Sequence, residues 1–340
     1  GPPLLVLPCH VPLQHRSGPV AATETTFRAM ASSVVIITLD GPASAGRDAR
    51  LRLIELEALW SRFAPGSDID RLNTAAGSPV PVSRSTITLL QTMVAAANAT
   101  GGRYDPTVLP ALLEAGYRAS IDDADRITTL PSGPHRSCVG MSEVHIDGDA
   151  STVTLPPDVA IDPGGIGKGL AADLVAEQLV LDGAAGALVS IGGDLAVAGE
   201  SPQGHGWEVE VEDPHRPVDA LAHLAVPAGG VATSSTISRR WCVDGTITHH
   251  VIDPRTGVAS TTDLVAVTVV APRAWLAEAH ATGALLGGRG QVLEYAREHR
   301  LEALAVDVEG RVLTTDGLEP TLTRPILSRP IPSLREEVRS

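Results

Sequence analysis

Strand-like and helix-like segments follow one another in this chain without a regular β-α-β rhythm. The β-branched or alternating apolar runs predict strands at 32–40, 187–198 (two strands broken at Gly192-Gly193), 207–212 and 264–270. Helical spacing of apolar residues predicts helices at 48–63, 85–100, 168–181 and 274–286. Asp244-Gly245, between two β-like runs, predicts a type I′ hairpin turn. This irregular order indicates an α+β fold with a largely antiparallel sheet and packed helices.

Both ends of the chain are rich in proline or charge and lack periodicity. Residues 1–24 and 323–340 are therefore predicted to be tails that flank one domain over residues 25–322. No run reaches the roughly eighteen apolar residues that a membrane span needs. A cytoplasmic location is the default expectation. Export or a lipid anchor at Cys9 is the alternative, although Pro8 is not the small residue expected before such a cysteine.

Composition excludes several classes of protein. The net charge of −14 opposes sequence-independent nucleic-acid binding, which needs Lys and Arg to neutralise phosphates. At 43% hydrophobic residues the chain can bury a large core and is not disordered as a whole. Cys9, Cys138 and Cys242 are widely spaced and form no C-x-x-C pair, so we expect reduced thiols rather than a disulfide scaffold or a zinc site.

A glycine-rich loop at residues 162–169 (DPGGIGKG) comes directly before a predicted helix. Glycines let backbone approach a ligand closely, a helix N-terminus favours anions, and Lys168 adds a point charge. The loop is not a Walker A motif, because no Ser or Thr follows Lys168 and Asp162 stands where that motif needs glycine. Phosphate binding and a tight strand-to-helix turn both remain open interpretations here.

Two further segments hold polar side chains in constrained backbone. In Tyr104-Asp105-Pro106 the proline restricts Asp105 to extended backbone, which fixes the direction of its carboxylate. An ordinary Asx-type turn is the alternative interpretation. His249 and His250 lie in a strand-like run, where neighbouring side chains point to opposite faces. Only one of them can face a pocket, so we do not expect a zinc site built from both.

Glu278 and Thr282 lie four residues apart in the predicted helix 274–286 and share one face, from which His280 points away. A carboxylate and a hydroxyl suit a hard cation such as Mg²⁺. The alternative is a solvated acidic residue and a threonine that bonds back to its own helix. Serine hydrolase chemistry is not expected, because no G-x-S-x-G elbow occurs.

Taken together and in order, these segments resemble the ApbE family of flavin transferases. The resemblance covers roughly residues 25–320. It rests on MASS at 30–33, WSRFAPGSDIDRLN at 60–73, GRYDPTV at 102–108, DPGGIGKG at 162–169, SIGGD at 190–194, WEVEVEDP at 207–214, VATSS at 231–235, HVIDPRTG at 250–257 and VTVVAPRAWLAEAHAT at 267–282.

The resemblance implies a T-fold-like α+β domain that binds FAD in a cleft, with Mg²⁺ at the diphosphate. It implies an enzyme that splits FAD, releases AMP and joins FMN through a phosphoester to a Ser or Thr hydroxyl of an acceptor flavoprotein. Some members hydrolyse FAD to FMN and AMP instead. A flavin-binding protein without catalysis is the third alternative.

The resemblance also implies roles for individual residues. The metal ligands would be the backbone of Gly165 and the side chains of Glu278 and Thr282. The flavin contacts would be Met30, Phe63, Tyr104, Asp105, Asp162, Lys168 and Ile252. Asp162 and His250 are the two candidates for the base, without a ranking between them.

The chain departs from the family pattern at a few of these positions. Glu278 stands where the family has Asp and is one methylene longer. Met30-Ala31-Ser32 replaces M-G-T, Phe63 replaces Tyr, and Gly167 replaces a common Ala. Five of the nine aromatic residues lie in or beside the matching segments, which predicts aromatic surface around the flavin cleft: Trp60, Phe63, Tyr104, Trp207 and Trp241.

Overall fold

A computed structural model describes residues 21–318 apart from 121, 122, 203 and 244, and it leaves out the side chains of 217–219. The first strand begins at Ala22. Most of the two predicted tails, and Asp244 of the predicted hairpin turn, lie outside the described residues, so the domain limits stay predictions. The predicted α+β fold is confirmed, because helices pack on a sheet whose neighbouring strands are all antiparallel.

The main sheet has eight strands. They are β1 (Ala22–Ala29), β2 (Ser32–Leu39), β6 (Gly186–Ile191), β7 (Asp194–Gly199), β10 (Gly229–Ser235), β15 (Leu264–Ala271), β16 (Glu302–Asp307) and β17 (Val312–Thr314), which lie side by side in that order. β6 and β7 form the strand pair predicted at 187–198, and β15 is the buried strand predicted at 264–270.

Smaller sheets and helices complete the domain. The other strands are β3 (Val80–Pro81), β4 (His145–Asp147), β5 (Thr152–Thr154), β8 (Trp207–Asp213), β9 (Arg216–Val226), β11 (Arg240–Val243), β12 (Thr246–His249), β13 (Ile252–Asp253) and β14 (Val258–Ala259). The α-helices are α1 (Ala45–Trp60), α2 (Asp68–Thr74), α3 (Arg84–Ala99), α4 (Leu109–Glu114), α5 (Gly167–Leu181), α6 (Ala274–Leu285) and α7 (Val292–Glu298), with a 3₁₀ turn at Pro106–Val108 before α4.

The two faces of the main sheet are covered differently. Helices α5 and α6 lie on one face, where α5 contacts β6 and β7 while α6 contacts β10 and β15. The long β8–β9 hairpin covers the other face with the alternate, buried residues of β8. The predicted half-exposed strand at 207–212 is therefore confirmed, and its apolar side faces a second core cluster.

Helix α1 buries a different stripe from the one that its large apolar residues suggest. The spacing of Leu51 and Ile54 fits a helix, but these side chains are 59% and 44% exposed. The buried stripe begins with two alanines, Ala45 and Ala49, and continues through Leu53, Leu56 and Trp60. Small residues let α1 approach the core closely, and they carry little weight in a search for apolar periodicity.

Candidate functional site

Two adjoining cavities open at the end of the main sheet where the β1–β2 and β6–β7 turns meet. The Gly192 N–H donates to the Ser33 carbonyl at 2.9 Å, which holds these turns together. The larger cavity measures about 230 Å³ and the smaller about 130 Å³. Seven residues line both cavities, so they form one continuous cleft: Arg62, Phe63, Tyr117, Asp162, Gly164, Lys168 and Arg239.

Helices α5 and α6 cross beside this cleft at very close range. A Cβ on Gly169 would lie 2.6 Å from the Ala274 carbonyl oxygen, so only glycine fits there. Each helix also gives a carboxylate to the first turn of the other. Glu278 on α6 accepts from the Gly169 N–H at 2.8 Å, and Asp173 on α5 accepts from the Ala274 and Trp275 N–H groups at 3.0 Å each. These carboxylates satisfy donors that a helix N-terminus leaves free and lie at its positive end.

Lys168 lies between two buried carboxylates in the larger cavity. Its Nζ donates to Glu278 Oε1 at 2.9 Å and also to Asp194 Oδ2. The side chains of Asp194 and Glu278 are only 4% and 6% exposed. Sequence reasoning named Lys168 and Glu278 as site residues but not Asp194, whose position directly after the Gly192-Gly193 turn was the available signal.

The ionisation of this cluster follows from its burial and its charges. Burial disfavours the Lys168 ammonium, but the two carboxylates outweigh this effect and hold the pKa of Lys168 above its usual range. Burial raises the pKa of Glu278, and Asp194 adds to the rise while Lys168 opposes it. Lys168 is therefore charged at neutral pH, between the two carboxyl groups.

Hydroxyl groups continue the polar surface away from this cluster. Thr282, one turn beyond Glu278 on α6, has its Oγ1 2.9 Å from Ser234 Oγ on β10 and also donates to the Glu278 carbonyl at 3.4 Å. Gly165 lies across the same cavity, against the ring of Tyr104. The structure thus brings all three predicted metal ligands, Gly165, Glu278 and Thr282, to one cavity.

Tyr104 and Asp105 lie on the same wall but differ in how their polar atoms are used. The Tyr104 hydroxyl is buried and has no hydrogen-bond partner within the described part of the chain. Burial raises the pKa of Tyr104 well above its usual value, and Glu278 adds to the rise. Asp105 instead accepts from Thr107 N and Oγ1 and from Gly140 N. Its carboxylate therefore stabilises an Asx-type turn, which was the alternative interpretation of Asp105 from the sequence.

Asp162, at the start of the glycine loop, is held by neighbours on both sides. Its Oδ1 accepts from the Gly164 N–H at 2.9 Å and lies 3.5 Å from Arg62 Nε. Arg62 is almost fully buried, and it also donates to Thr128 Oγ1 at 2.6 Å and to the Tyr117 carbonyl at 3.2 Å. Arg62 was not predicted from the sequence, because its hydrogen-bond and ion-pair partners lie far along the chain.

An aromatic wall lines the smaller cavity. The Arg62 guanidinium lies over the rings of Phe63 and Tyr117, at 4.0 and 4.9 Å, and Tyr117 stacks on Trp241 with ring centroids 5.3 Å apart. Met30 lines the same cavity from the β1–β2 turn, where it has a positive φ of 53°. Tyr117 was not predicted, because no motif marks it.

The prediction of aromatic surface around the cleft holds for most of the residues named. Trp60, Phe63 and Tyr104 line the cavities, and Trp241 supports Tyr117 from behind. Trp207 is an exception, since it is 2% exposed in the core beneath the β8–β9 hairpin on the opposite face of the sheet. Its place at the start of a half-buried strand explains that position.

The two neighbouring histidines have different surroundings, as the strand pattern predicts. His249 Nε2 donates to the Ser260 carbonyl at 3.0 Å. His250 lines the larger cavity beside Ile252, and its buried Nδ1 has no partner among the described residues. Burial and the charge of Arg239 lower the pKa of His250 to about 3. His280 points away from the cleft and bonds Tyr295 Oη at 2.8 Å.

The cleft therefore gathers every residue that the sequence proposed as a base, a flavin contact or a metal ligand. Met30 lines the smaller cavity, while Tyr104, Asp105, Gly165, His250, Ile252, Glu278 and Thr282 line the larger one; Phe63, Asp162 and Lys168 line both. The sequence profile of the ApbE family matches residues 25–305. The chain belongs to the ApbE family.

Curated relatives and solved structures agree with this ApbE assignment. An FAD:protein FMN transferase of Salmonella typhimurium is 28% identical over 290 residues, which cover 83% of each chain. One of Vibrio cholerae is 26% identical over 96% of this chain and 97% of the relative. The apo crystal structure of the Pseudomonas stutzeri flavinyl transferase ApbE is 25% identical, covers 90% of this chain and 98% of that one, and superposes with a TM-score of 0.74.

A crystal structure of an ApbE protein from Thermotoga maritima superposes with a TM-score of 0.77 at 24% identity, over 89% of this chain and all of that one. This similarity shows the fold. No described helix is long and apolar enough to cross a bilayer. The cytoplasmic location stays a prediction.

Proposed function

We propose that this ApbE protein transfers FMN from FAD to a Ser or Thr hydroxyl of an acceptor flavoprotein and releases AMP. The proposal rests on one observation: oxygen donors, a charged lysine and an unpartnered histidine nitrogen lie in one cleft beside an aromatic wall. The names of the curated relatives support the same activity.

The cleft offers separate surfaces for the parts of FAD. The aromatic wall of Phe63 and Tyr117, together with Met30, suits a planar ring. Lys168 and the N-terminus of α5 suit the diphosphate, since both favour negative charge. Tyr104 Oη lies in the same cavity with its hydrogen-bonding capacity unused. A dinucleotide would span the two cavities in this arrangement.

The donors around Glu278 fit Mg²⁺. Gly165 can offer its carbonyl and Glu278 and Thr282 their side-chain oxygens, all hard donors. No set of three or more His, Cys, Asp or Glu side chains that could enclose a metal exists in the described part of the chain. This suits an ion that keeps waters and takes few carboxylates together with substrate phosphates. When bound, Mg²⁺ would neutralise the diphosphate and polarise a phosphoryl oxygen.

His250 is the candidate base with a free acceptor atom, and the negative charge of a bound diphosphate would raise its lowered pKa. Asp162 is engaged by Arg62 and Gly164, whereas Nδ1 of the neutral His250 imidazole keeps a free lone pair. The acceptor hydroxyl oxygen would attack the phosphorus on the FMN side while His250 Nδ1 takes its proton. The bond from that phosphorus to the bridging oxygen breaks, and AMP leaves with the bridging oxygen. Lys168 can stabilise the charge that develops on the leaving group.

The test incubates the protein with FAD, Mg²⁺ and a candidate acceptor flavoprotein, with His250→Asn as the matched variant. We expect the intact mass of the acceptor to rise by one FMN less one water, with one AMP formed for each acceptor modified. The His250→Asn protein should lose most of this activity. Free FMN and AMP in equal amounts would replace the proposal with FAD hydrolysis, and intact bound FAD would replace it with binding alone.

A further inference from the structure

The Lys168 ammonium lies in a buried part of the cleft that contains two acidic side chains. Two buried carboxylates, Asp194 and Glu278, share this single cation. If both are ionised, the cluster keeps a net charge of −1 in a place where uncompensated charge is costly. A divalent cation at the same carboxylates would remove that excess.

The surroundings supply further oxygen donors and a sign that a ligand enters. The hydroxyls of Thr282 and Ser234 lie 2.9 Å apart in the same cavity. Independently, Tyr104 is 4% exposed and its hydroxyl finds no partner in the described residues, although it lines this cavity. A buried donor without a partner is rare unless a ligand or water satisfies it.

We propose that a divalent cation displaces the Lys168 ammonium from between Asp194 and Glu278, that Asp194 becomes a further oxygen ligand, and that the released ammonium binds the diphosphate of FAD. This inference rests on the proposed function for the identity of the substrate. The ammonium and the metal ion exchange because like charges at one position repel strongly.

Lysine is suited to such an exchange. Its flexible four-carbon stem can move a compact charge over several ångströms. Lys168 lines both cavities, so open space into which its ammonium could move lies beside it. Glu278 would stay in place during the exchange, because its Oε2 accepts from the Gly169 N–H at the start of α5.

The composition of the chain allows a direct measurement. Lys168 is its single lysine, so protein grown with ¹³C-lysine gives one Cε methylene signal by NMR. We expect this signal to shift saturably when MgCl₂ alone is added, and to shift again when FAD follows. If Mg²⁺ leaves the chemical shift of the Lys168 Cε methylene unchanged, both in the absence and in the presence of FAD, the exchange is wrong.

Variants measure the competition between the two cations. With Mn²⁺ as an EPR probe in FAD-free protein, Lys168→Met should tighten the Mn²⁺ Kd by roughly tenfold or more, because a charge-assisted hydrogen bond no longer competes. Asp194→Asn should weaken Mn²⁺ binding by about tenfold for the loss of one charged ligand. An unchanged Kd in either variant contradicts the proposal.

Arg273→Met is the matched control. Arg273 also lies between two carboxylates, Asp173 and Glu177, and joins the same two helices, but it lines neither cavity. Its removal should leave the Mn²⁺ Kd unchanged. If Arg273→Met tightens Mn²⁺ binding as much as Lys168→Met does, the effect is one of overall charge and the exchange is wrong.

The exchange and the proposed function fail in different ways. Mg²⁺-dependent FMN transfer with an immobile Lys168 signal would overturn the exchange and leave the function standing. A Lys168 signal that responds to Mg²⁺, in a protein that neither transfers FMN nor cleaves FAD, would overturn the function and leave the exchange standing.

Discussion

Two ion-pair bridges join helices α5 and α6, one inside the cleft and one outside it. In each, a basic side chain lies between two carboxylates. Arg273 contacts Asp173 and Glu177, both on α5, at a partly exposed edge. Lys168 contacts Asp194 and Glu278 inside the larger cavity.

The two bridges differ in what their carboxylates leave unused. Both Asp173 oxygens accept backbone N–H groups of α6, so that carboxylate is fully employed in holding a helix end. One Glu278 oxygen accepts from the Gly169 N–H at the start of α5. The other accepts from Nζ of Lys168, whose side chain is flexible. Of the two cations, Lys168 faces a cavity and is available for chemistry, whereas Arg273 is not.

The largest expected contrast is between Glu278→Ala and Asp173→Ala. Glu278→Ala removes a predicted metal ligand and should lower kcat for FMN transfer by about 10²- to 10³-fold. Asp173→Ala should lower the free energy of unfolding while the folded protein keeps its kcat. Steady-state kinetics with excess Mg²⁺ and urea unfolding give the two measurements. Equal kcat losses in both variants would remove the distinction between the bridges.

Gly169→Ala should damage both bridges at once. The added Cβ would lie 2.6 to 2.8 Å from backbone atoms of Ala274 and Trp275, so the helices must separate. We expect a loss of about 3 kcal/mol in the free energy of unfolding, the upper part of the range for overpacking. Gly290→Ala, where a Cβ meets nothing within 4 Å, is the control and should be nearly neutral.

The bridge outside the cleft should make the free energy of unfolding depend on pH. Burial raises the pKa of Asp173 to about 6 in the folded protein. A carboxyl whose pKa is raised by folding stabilises most below its unfolded value near 3.8, and this contribution is lost as pH rises through 6. We expect wild type to lose about 3 kcal/mol relative to Asp173→Asn over this window.

The measurement is urea unfolding of both proteins at several pH values between these limits. Because an amide does not titrate, replacement by Asn shifts the free energy of unfolding by an amount that does not depend on pH. The informative quantity is therefore the difference between the slopes of the two stability curves against pH. A wild-type curve that stays parallel to that of Asp173→Asn would mean that the Asp173 carboxyl is not held in its neutral form by burial.

The smallest effect belongs to Arg273→Met. The Arg273 and Glu177 side chains are 38% and 46% exposed, so solvent screens their attraction. We expect a loss of about 1 kcal/mol or less in the free energy of unfolding and no change in kcat. Thermal unfolding with a parallel kinetic assay tests this. A large kcat loss would show that the outer bridge also sets the geometry of the cleft.

Much of the fold could be predicted because local patterns encode it. The helices predicted at 168–181 and 274–286 match α5 and α6 to within one residue at each end. The buried stripe of α1 was less evident, since Ala45 and Ala49 take the core positions while Leu51 and Ile54 face solvent. Apolar size alone does not decide burial when close helix packing favours small residues.

The contacts of the site were harder to predict than its members. Lys168 was noticed for its glycine loop and Glu278 for its spacing to Thr282, but nothing local reveals that their side chains meet. Asp194 and Arg62 were missed for the same reason, because their partners are distant in sequence. Motifs identify such residues singly, whereas the sheet and the α5–α6 crossing bring them together.

The separation of Lys168 and Glu278 along the sequence also determines when the cleft can form during synthesis. Lys168 emerges from the ribosome 110 residues before its partner, and Thr282 follows later still. Until α6 has emerged, the growing chain holds the glycine loop and most of the aromatic wall but lacks Glu278 and Thr282. FAD therefore finds its complete cleft only after α6 has emerged, and a chain that stops before α6 lacks both residues.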